Sequence, residues 1–218
     1  MSSIHLKNLI IDDIETAFGL QEVASLSALS EWIESTPPLT SNQLSFLSTV
    51  QSIARRFEHI WTPTERSLSF IYPMFNAVKY GSTNYRGFAA RNCRLTAEGL
   101  NITGKVDFCV GTGKAQPKEV YFLFHQYDPA GGQLYDPRTQ LIASMLAVRQ
   151  RKVNQHELTP VYGCYVIGQS WFFVVLQGDR YATSLAYNST RPEQLRTAFN
   201  ALAQVKIYIE QLLQEPAL

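Results

Sequence analysis

Residues 104–140, GKVDFCVGTGKAQPKEVYFLFHQYDPAGGQLYDPRTQ, decide the fold of this chain, because they combine two strand patterns, a loop and a helix start. Residues 104–110 are apolar and rich in strand formers, and Asp107 is their carboxylate. Residues 120–127 are nearly continuous apolar and aromatic residues, which is typical of a central strand covered on both faces. Asp136 and Pro137 then open a helix. The stretch therefore predicts two neighbouring strands whose polar residues collect at one end.

The residues before this stretch are mainly helical in pattern. Residues 4–34 carry apolar positions at helical spacing, and two more helices are expected after the proline pair at 37–38. The third helix runs from Glu65 to Val78, and Pro73 inside it predicts a kink or an early end. We expect residues 1–60 to form an N-terminal helical segment that packs on an α/β core of residues 61–218.

Strand patterns dominate from Tyr85 onwards. Residues 86–95 and 100–110 predict a hairpin, further strands are expected at 160–167, 171–176 and 181–187, and a last helix follows Thr190. The simplest assembly is an α/β (α+β) protein in which helices flank both faces of a mixed β-sheet.

Composition limits the classes of function. The 218 residues are 45% hydrophobic and 17% charged, which favours a dry, folded interior over disorder. A net charge of +1 argues against extended duplex binding, so nucleic acid is only a weak candidate partner. Three widely spaced cysteines predict buried thiols in a reducing compartment. With neither a signal pattern nor a spanning apolar run, we expect a cytoplasmic protein with no membrane partner.

Several motifs together resemble the PD-(D/E)XK nuclease superfamily of restriction-endonuclease-like proteins, and more closely an uncharacterised bacterial group within it. The resemblance extends from about Trp61 to the C-terminal helix and implies a restriction-endonuclease-like mixed sheet. It depends on the whole set of motifs rather than on any one. The motifs are Asn84-Tyr85-Arg86-x-Phe88, Gly104-Lys105-Val106-Asp107, Asp136-Pro137-x-x-Gln140-Leu141, Val161-Tyr162-Gly163-Cys164-Tyr165 and Trp171-Phe172-Phe173-Val174-Val175-Leu176.

The resemblance also implies a site. In the superfamily one strand supplies an Asp, the next supplies Glu-x-Lys, and a preceding helix often adds a Glu. Asp107 and Glu65 match the first and last of these, whereas Gln126 and Asp128 stand where the bacterial group has Glu and Lys. The implied metal ligands are Glu65, Asp107 and Gln126, and the implied catalytic positions are Asp107, Gln126 and Asp128, with Lys105 as a candidate migrated lysine.

The substitutions at 126 and 128 weaken the chemistry that the resemblance implies. In active relatives, carboxylates hold Mg²⁺, which activates a water, and the lysine positions that water. An amide at Gln126 brings no charge, and Asp128 reverses the charge of the lysine. If Asp128 converges with Glu65 and Asp107, the three form a carboxylate cluster; if it turns outward, the pocket is inert. Gln140, one turn into its helix, is a further pocket candidate.

Three functions follow from this pattern. We expect a degenerate, inactive nuclease-like protein that acts as a binding or interaction module and needs no cofactor. The alternative is an active nuclease that uses Mg²⁺ or Mn²⁺ on Glu65, Asp107 and Gln126 to hydrolyse phosphodiester bonds of DNA or RNA. A structural protein that forms a homodimer is the third. His125 points away from Gln126 on a period-2 strand, which favours a hydrogen-bonded core histidine over a catalytic base.

Overall fold

A computed structural model describes residues 2–5, 10–97, 100–126, 136–151 and 159–214, and there it shows a mixed sheet between helices. The strands are β1 (Ser2–His5), β2 (Gln21–Glu22), β3 (Tyr85–Ala97), β4 (Leu100–Thr112), β5 (Val120–Gln126), β6 (Val161–Ile167), β7 (Ser170–Gln177), β8 (Arg180–Thr183) and β9 (Tyr187–Asn188). The helices are α1 (Ile11–Phe18), α2 (Ser27–Ile33), α3 (Ser41–Phe57), α4 (Pro63–Arg66), α5 (Tyr72–Val78), α6 (Pro137–Arg151) and α7 (Pro192–Gln214). The predicted mixed α/β class is confirmed.

The two strands of the deciding stretch are neighbours. The sheet has the order β1-β4-β5-β6-β7-β8-β2, while β3 pairs with β4 and β9 pairs with β7. β4 and β5 are antiparallel with Phe108 opposite Phe124, and β5 is parallel to β6. β3 and β4 form the predicted antiparallel hairpin. β5 thus lies inside the sheet, and all but one of its residues are buried.

Helices cover both faces of this sheet and enclose two cores. The first core lies against α2, α3, α5 and α7, and its largest fully buried side chains are those of Trp32 and Trp171. The second lies against α1 and α6, where Leu141, Met145 and Ile14 are buried. Asp136 caps α6, because its Oδ1 accepts the Arg138 N–H at 2.9 Å and its Oδ2 accepts the Thr139 hydroxyl at 2.9 Å.

The N-terminal segment is not wholly helical, so the prediction for residues 4–34 is wrong in two places. β1 pairs in parallel with β4, and β2 pairs in parallel with β8. The backbone N–H groups of Gln21 and Val23 donate to the carbonyl oxygens of Asp179 and Tyr181, both at 2.9 Å. Backbone partners at the sheet edge therefore override the local helical pattern in these two places. The helix α1 ends at Gly19, whose φ of 61° is left-handed.

A π-helical turn joins α4 to α5. Residues Ser67–Ile71 adopt this wider turn directly before Pro73, which lies at the start of α5. Proline lacks an N–H, and its ring clashes with the carbonyl four residues earlier in a regular α-helix. The predicted disturbance at Pro73 therefore takes the form of a π turn, and the helix continues to Val78.

Two expectations drawn from composition can be compared with the described residues. Cys109 and Cys164 are both buried, as predicted, and each lies in a strand of the sheet. No helix in the described ranges has both the length and the apolar content that crossing a bilayer requires.

Candidate functional site

Asp107 lies where β4 loses its regular pairing on both sides. Register pairs with β5 extend only as far as Phe108, and on the β3 side Ala90, which would oppose Asp107, has a φ of 53°. The Asp107 carboxylate takes the place of a ladder carbonyl, because its Oδ2 accepts the backbone N–H of Gln126 at 2.8 Å. The end of β5 is thus attached to β4 through a side chain.

The amide of Gln126 is held between β5 and the start of the α4 helix. Its Nε2 donates to the carbonyl oxygen of Pro63 at 2.9 Å, and its Oε1 accepts the hydroxyl of Ser67. A carbonyl oxygen can only accept, so the Pro63 contact requires an N–H donor and sets the orientation of the amide. The side chain is buried, with 9% exposure for the residue. An ionised glutamate at this position would face the Pro63 oxygen without a proton to share.

His125 faces the opposite side of the sheet, as its strand position predicts. Its Nε2 lies 3.2 Å from Oγ of Ser144 on α6, and that hydroxyl donates to the carbonyl oxygen of Gln140 at 2.8 Å. Because the Ser144 proton is used in this way, Nε2 is the nitrogen that donates. Nδ1 lies 3.8 Å from Oδ2 of Asp107. Burial lowers the pKa of His125 despite this carboxylate, so the ring is a neutral core histidine.

Glu65 and Lys105 make no direct contact with the Asp107 and Gln126 pair in the described part of the chain. The Oε2 of Glu65 accepts the Thr62 N–H at 2.7 Å and the Thr62 hydroxyl at 2.8 Å, which completes a capping box at α4. The backbone hydrogen bond, followed by the hydroxyl, lowers the pKa of Glu65. Lys105 is exposed and forms no ion pair with Asp107 among these residues.

Gln140 lies in the first turn of α6, on the face that carries Ser144. Its residue is 6% exposed, and its buried Nε2 has no hydrogen-bond partner in the part of the chain that is described. Asp128 and the predicted loop at 129–132 lie outside the described residues. The convergence expected of Asp128 with Glu65 and Asp107 therefore stays a prediction.

The three predicted ligands for Mg²⁺ or Mn²⁺ are engaged in hydrogen bonds within the described part of the chain. Each of the three predicted ligands already has a protein partner: Gln126 for Asp107, Ser67 for Gln126, and Thr62 for Glu65. Within the described ranges, no group of three His, Cys, Asp or Glu side chains is close enough to hold a metal ion.

Sequence reasoning missed three contributors to this site. Ser67 and Pro63 bind the Gln126 amide, and the Tyr72 phenol lies in the field of Asp107, where burial and then this carboxylate raise its pKa. No spacing in the sequence pointed to them, since they reach the site through the packing of α4 and α5 on the sheet. Ser144 was recognisable in principle, because it follows Gln140 by four residues on one helix face.

Known proteins do not assign a family to this chain. A scan against protein-family models finds no match, and a search of curated proteins finds none either.

Proposed function

We propose that this chain is a degenerate relative of the PD-(D/E)XK nucleases that does not cleave phosphodiester bonds and acts as a binding or interaction module. The order of elements supports the kinship. A helix that carries Glu65 precedes the β3–β4 hairpin, β4 carries Asp107, and the neighbouring strand ends at Gln126. This is the order in which the superfamily presents its acidic residues.

The amide of Gln126 is the observation that carries the proposed loss of catalysis. An amide oxygen at this position can still coordinate a cation, but it brings no charge, so the affinity for Mg²⁺ or Mn²⁺ should fall. Here the side chain donates to the Pro63 carbonyl oxygen at 2.9 Å, which a carboxylate cannot do while it is ionised. The structure around position 126 is therefore complementary to an amide, and the position contributes no charge for a cation.

Asp107 supports the same conclusion. One of its oxygens is used to bind the Gln126 N–H at the end of β5, so the residue has a structural task that is independent of a metal. Its side chain is nevertheless 44% exposed, and a ligand approaching the end of the sheet would meet this carboxylate. An accessible carboxylate accepts hydrogen bonds from donor groups of a partner and repels phosphate, which favours the first kind of contact.

Purified protein tests the proposal directly. Incubation with supercoiled plasmid, single-stranded DNA and RNA in the presence of Mg²⁺ or Mn²⁺ should leave every substrate intact. Cleavage that disappears in Asp107→Ala would overturn the proposal and support the active alternative. Cleavage that persists in Asp107→Ala would identify a contaminating nuclease.

A restored motif gives a second test. The double variant Gln126→Glu/Asp128→Lys should bind Mn²⁺ more tightly than the parent chain in a calorimetric titration, because it regains a charged ligand and a balancing ammonium. Gln126→Glu alone serves as the matched control. An unchanged affinity in the double variant would count against the assigned positions.

Two measurements examine the partner of this module. Light scattering of the purified chain separates a monomer that binds other molecules from a homodimer, which is the third function considered above. Gel-shift titration with duplex and single-stranded DNA tests whether the chain binds nucleic acid. Its net charge of +1 offers little electrostatic attraction for a phosphate backbone.

A further inference from the structure

A second pocket lies at the other end of β5. It has a volume of 190 Å³ and opens between the beginnings of β5 and β6 and the C-terminal half of α7. Tyr121, Tyr162 and Tyr208 line it together with aliphatic side chains such as Ile209. Tyr121 and Gln126 are five positions apart on the strand, a distance of about 16 Å, so this pocket is distinct from the candidate site.

Contacts with other aromatic rings hold two of the tyrosines of this pocket in place. The rings of Tyr162 and Tyr208 stack with centroids 5.1 Å apart and an angle of 27° between their planes. The buried ring of Trp32 meets Tyr162 edge-on at 5.0 Å. Because these contacts fix the rings before any ligand arrives, little side-chain entropy is lost on binding.

Carboxylates surround these tyrosines in the described part of the chain. The Tyr121 hydroxyl donates to Oε2 of Glu119 at 2.9 Å. Burial, then the charge of an ionised Tyr208, and then that of Glu31 raise the pKa of Tyr162. Burial also raises the pKa of Tyr208; a hydrogen bond with Gln204 opposes this increase, and Glu31 adds to it. Lys206 follows Val205, which lines the pocket, and its Nζ lies 3.9 Å from Oε1 of Glu210. This cation therefore has a carboxylate partner of its own. The pocket therefore combines tyrosine rings in its wall with two carboxylates nearby, those of Glu119 and Glu31.

We propose that this pocket binds a small organic cation of the alkylammonium class. Ring faces attract a cation through their quadrupole, and the attraction grows when the cation loses water. The alkyl groups of such an ion fit the aliphatic part of the wall, while Glu31 and Glu119 balance its charge. The same carboxylates repel an anion, and they add nothing for a neutral ligand of the same shape.

Choline and its neutral isostere, 3,3-dimethylbutan-1-ol, separate charge from shape. Calorimetric titration of the full chain at matched ionic strength should show that choline binds. The alcohol should bind at least about fivefold more weakly than choline. Equal affinities would overturn the proposal, and so would the absence of choline binding at about 10 mM.

Two substitutions at Tyr208 examine the ring itself. Tyr208→Leu keeps an apolar side chain but removes the quadrupole, and it should weaken choline binding by about fivefold or more. Tyr208→Phe keeps the ring and should stay within about twofold of the parent affinity. Unchanged binding in a cooperatively folded Tyr208→Leu chain would contradict the proposal.

Glu31→Gln provides a variant with little risk to folding, because Glu31 is exposed. It should weaken choline binding by about two- to threefold and leave the isostere unaffected. An equal effect on both ligands would contradict the role of charge. The nuclease assays concern Asp107 at the other end of β5, so the failure of either proposal is recognised without reference to the other.

Discussion

An amide and a carboxylate have nearly the same shape but differ in what they can donate, and position 126 depends on this difference. Nε2 of Gln126 reaches the Pro63 carbonyl oxygen, and Oε1 reaches the Ser67 hydroxyl. Sequence comparison with a nuclease motif treats Gln126 as a ligand that has lost its charge. The contacts show that the same residue joins the end of β5 to the start of α4.

Gln126→Glu should destabilise the fold at neutral pH by about 1–3 kcal/mol, because an ionised carboxylate would lie against the Pro63 oxygen. Contact with this acceptor favours the protonated acid and raises the pKa of the new carboxyl in the folded state. The full stability is therefore kept below the unfolded-state pKa and lost as pH rises through the folded-state value. Urea unfolding from about pH 4 to pH 8 measures this loss.

Gln21→Glu is a matched control for that experiment, because Gln21 is exposed on β2 and its variant should lose little stability at any pH. If Gln126→Glu were as stable as the parent chain at neutral pH, the amide-specific contact with Pro63 would be excluded.

His125 should make the protein sensitive to acid. Burial lowers its folded-state pKa below the usual 6.5, so the unfolded chain binds more protons between these two values. The free energy of unfolding should consequently fall as pH drops below about 6.5. Urea titrations in His125→Gln, whose amide can still reach Ser144, should show a shallower pH dependence in this window. An identical slope in the variant would assign the acid sensitivity to other groups.

β4 changes register where a loop backbone crosses close to it. The pairing with β5 shifts between Val110 and Gly111, and a Cβ on Gly111 would overlap the carbonyl oxygen of Glu119. The Thr112 N–H donates to this same oxygen at 2.9 Å. A glycine is needed here because two backbones approach each other, and this approach sets the register that brings Asp107 to the end of β5.

Gly111→Ala should therefore cost about 1–3 kcal/mol of unfolding free energy, since the obstacle is backbone and cannot rotate away. Gly81→Ala is the control, because nothing lies within 4 Å of a Cβ at that exposed position. Its effect should be small, and the more restricted unfolded chain can even make it slightly stabilising. Denaturant unfolding compares the two, and equal stabilities would refute the close approach at Gly111.

The N-terminal segment and the sheet share one core. Trp32 is fully buried, contacts Phe173 of β7 at a ring distance of 5.1 Å, and donates its indole N–H to the Ala201 carbonyl oxygen of α7 at 2.7 Å. Leu47 and Val50 of α3 belong to the same buried cluster. Removing these side chains would expose the apolar face of β5, β6 and β7 to water.

A chain shortened to residues 61–218 should for this reason fail to unfold cooperatively. The full chain should show a single transition that is the same by circular dichroism and tryptophan fluorescence. Trp32→Ala in the full chain tests the same contact with less disruption and should cost about 3–5 kcal/mol. A shortened chain with its own sharp thermal transition would show that the first sixty residues are dispensable for the core.

Local patterns predicted the central elements because each is dictated by its own residues. The apolar run of β5, the hairpin pattern of β3 and β4, and the Asp136 cap of α6 were all recognisable and are all present. β1 and β2 were missed, since short strands form only when a distant sheet edge supplies partners for their backbone. Ser67 and Pro63 could not be predicted for a similar reason, because they reach Gln126 only when their helix packs on the sheet.

The sequence alone therefore determined the mixed sheet, its central strands, and the placement of Asp107 on one of them and of Gln126 at the end of the next, because strand periodicity and burial are local properties of the chain. Only the tertiary structure decided how these two residues are used. Asp107 closes the ladder to β5, and Gln126 binds a helix start more than fifty residues away along the chain, in contacts that no local pattern encodes. The physical reason is that hydrogen-bond partners in a folded core are chosen by packing geometry rather than by sequence distance.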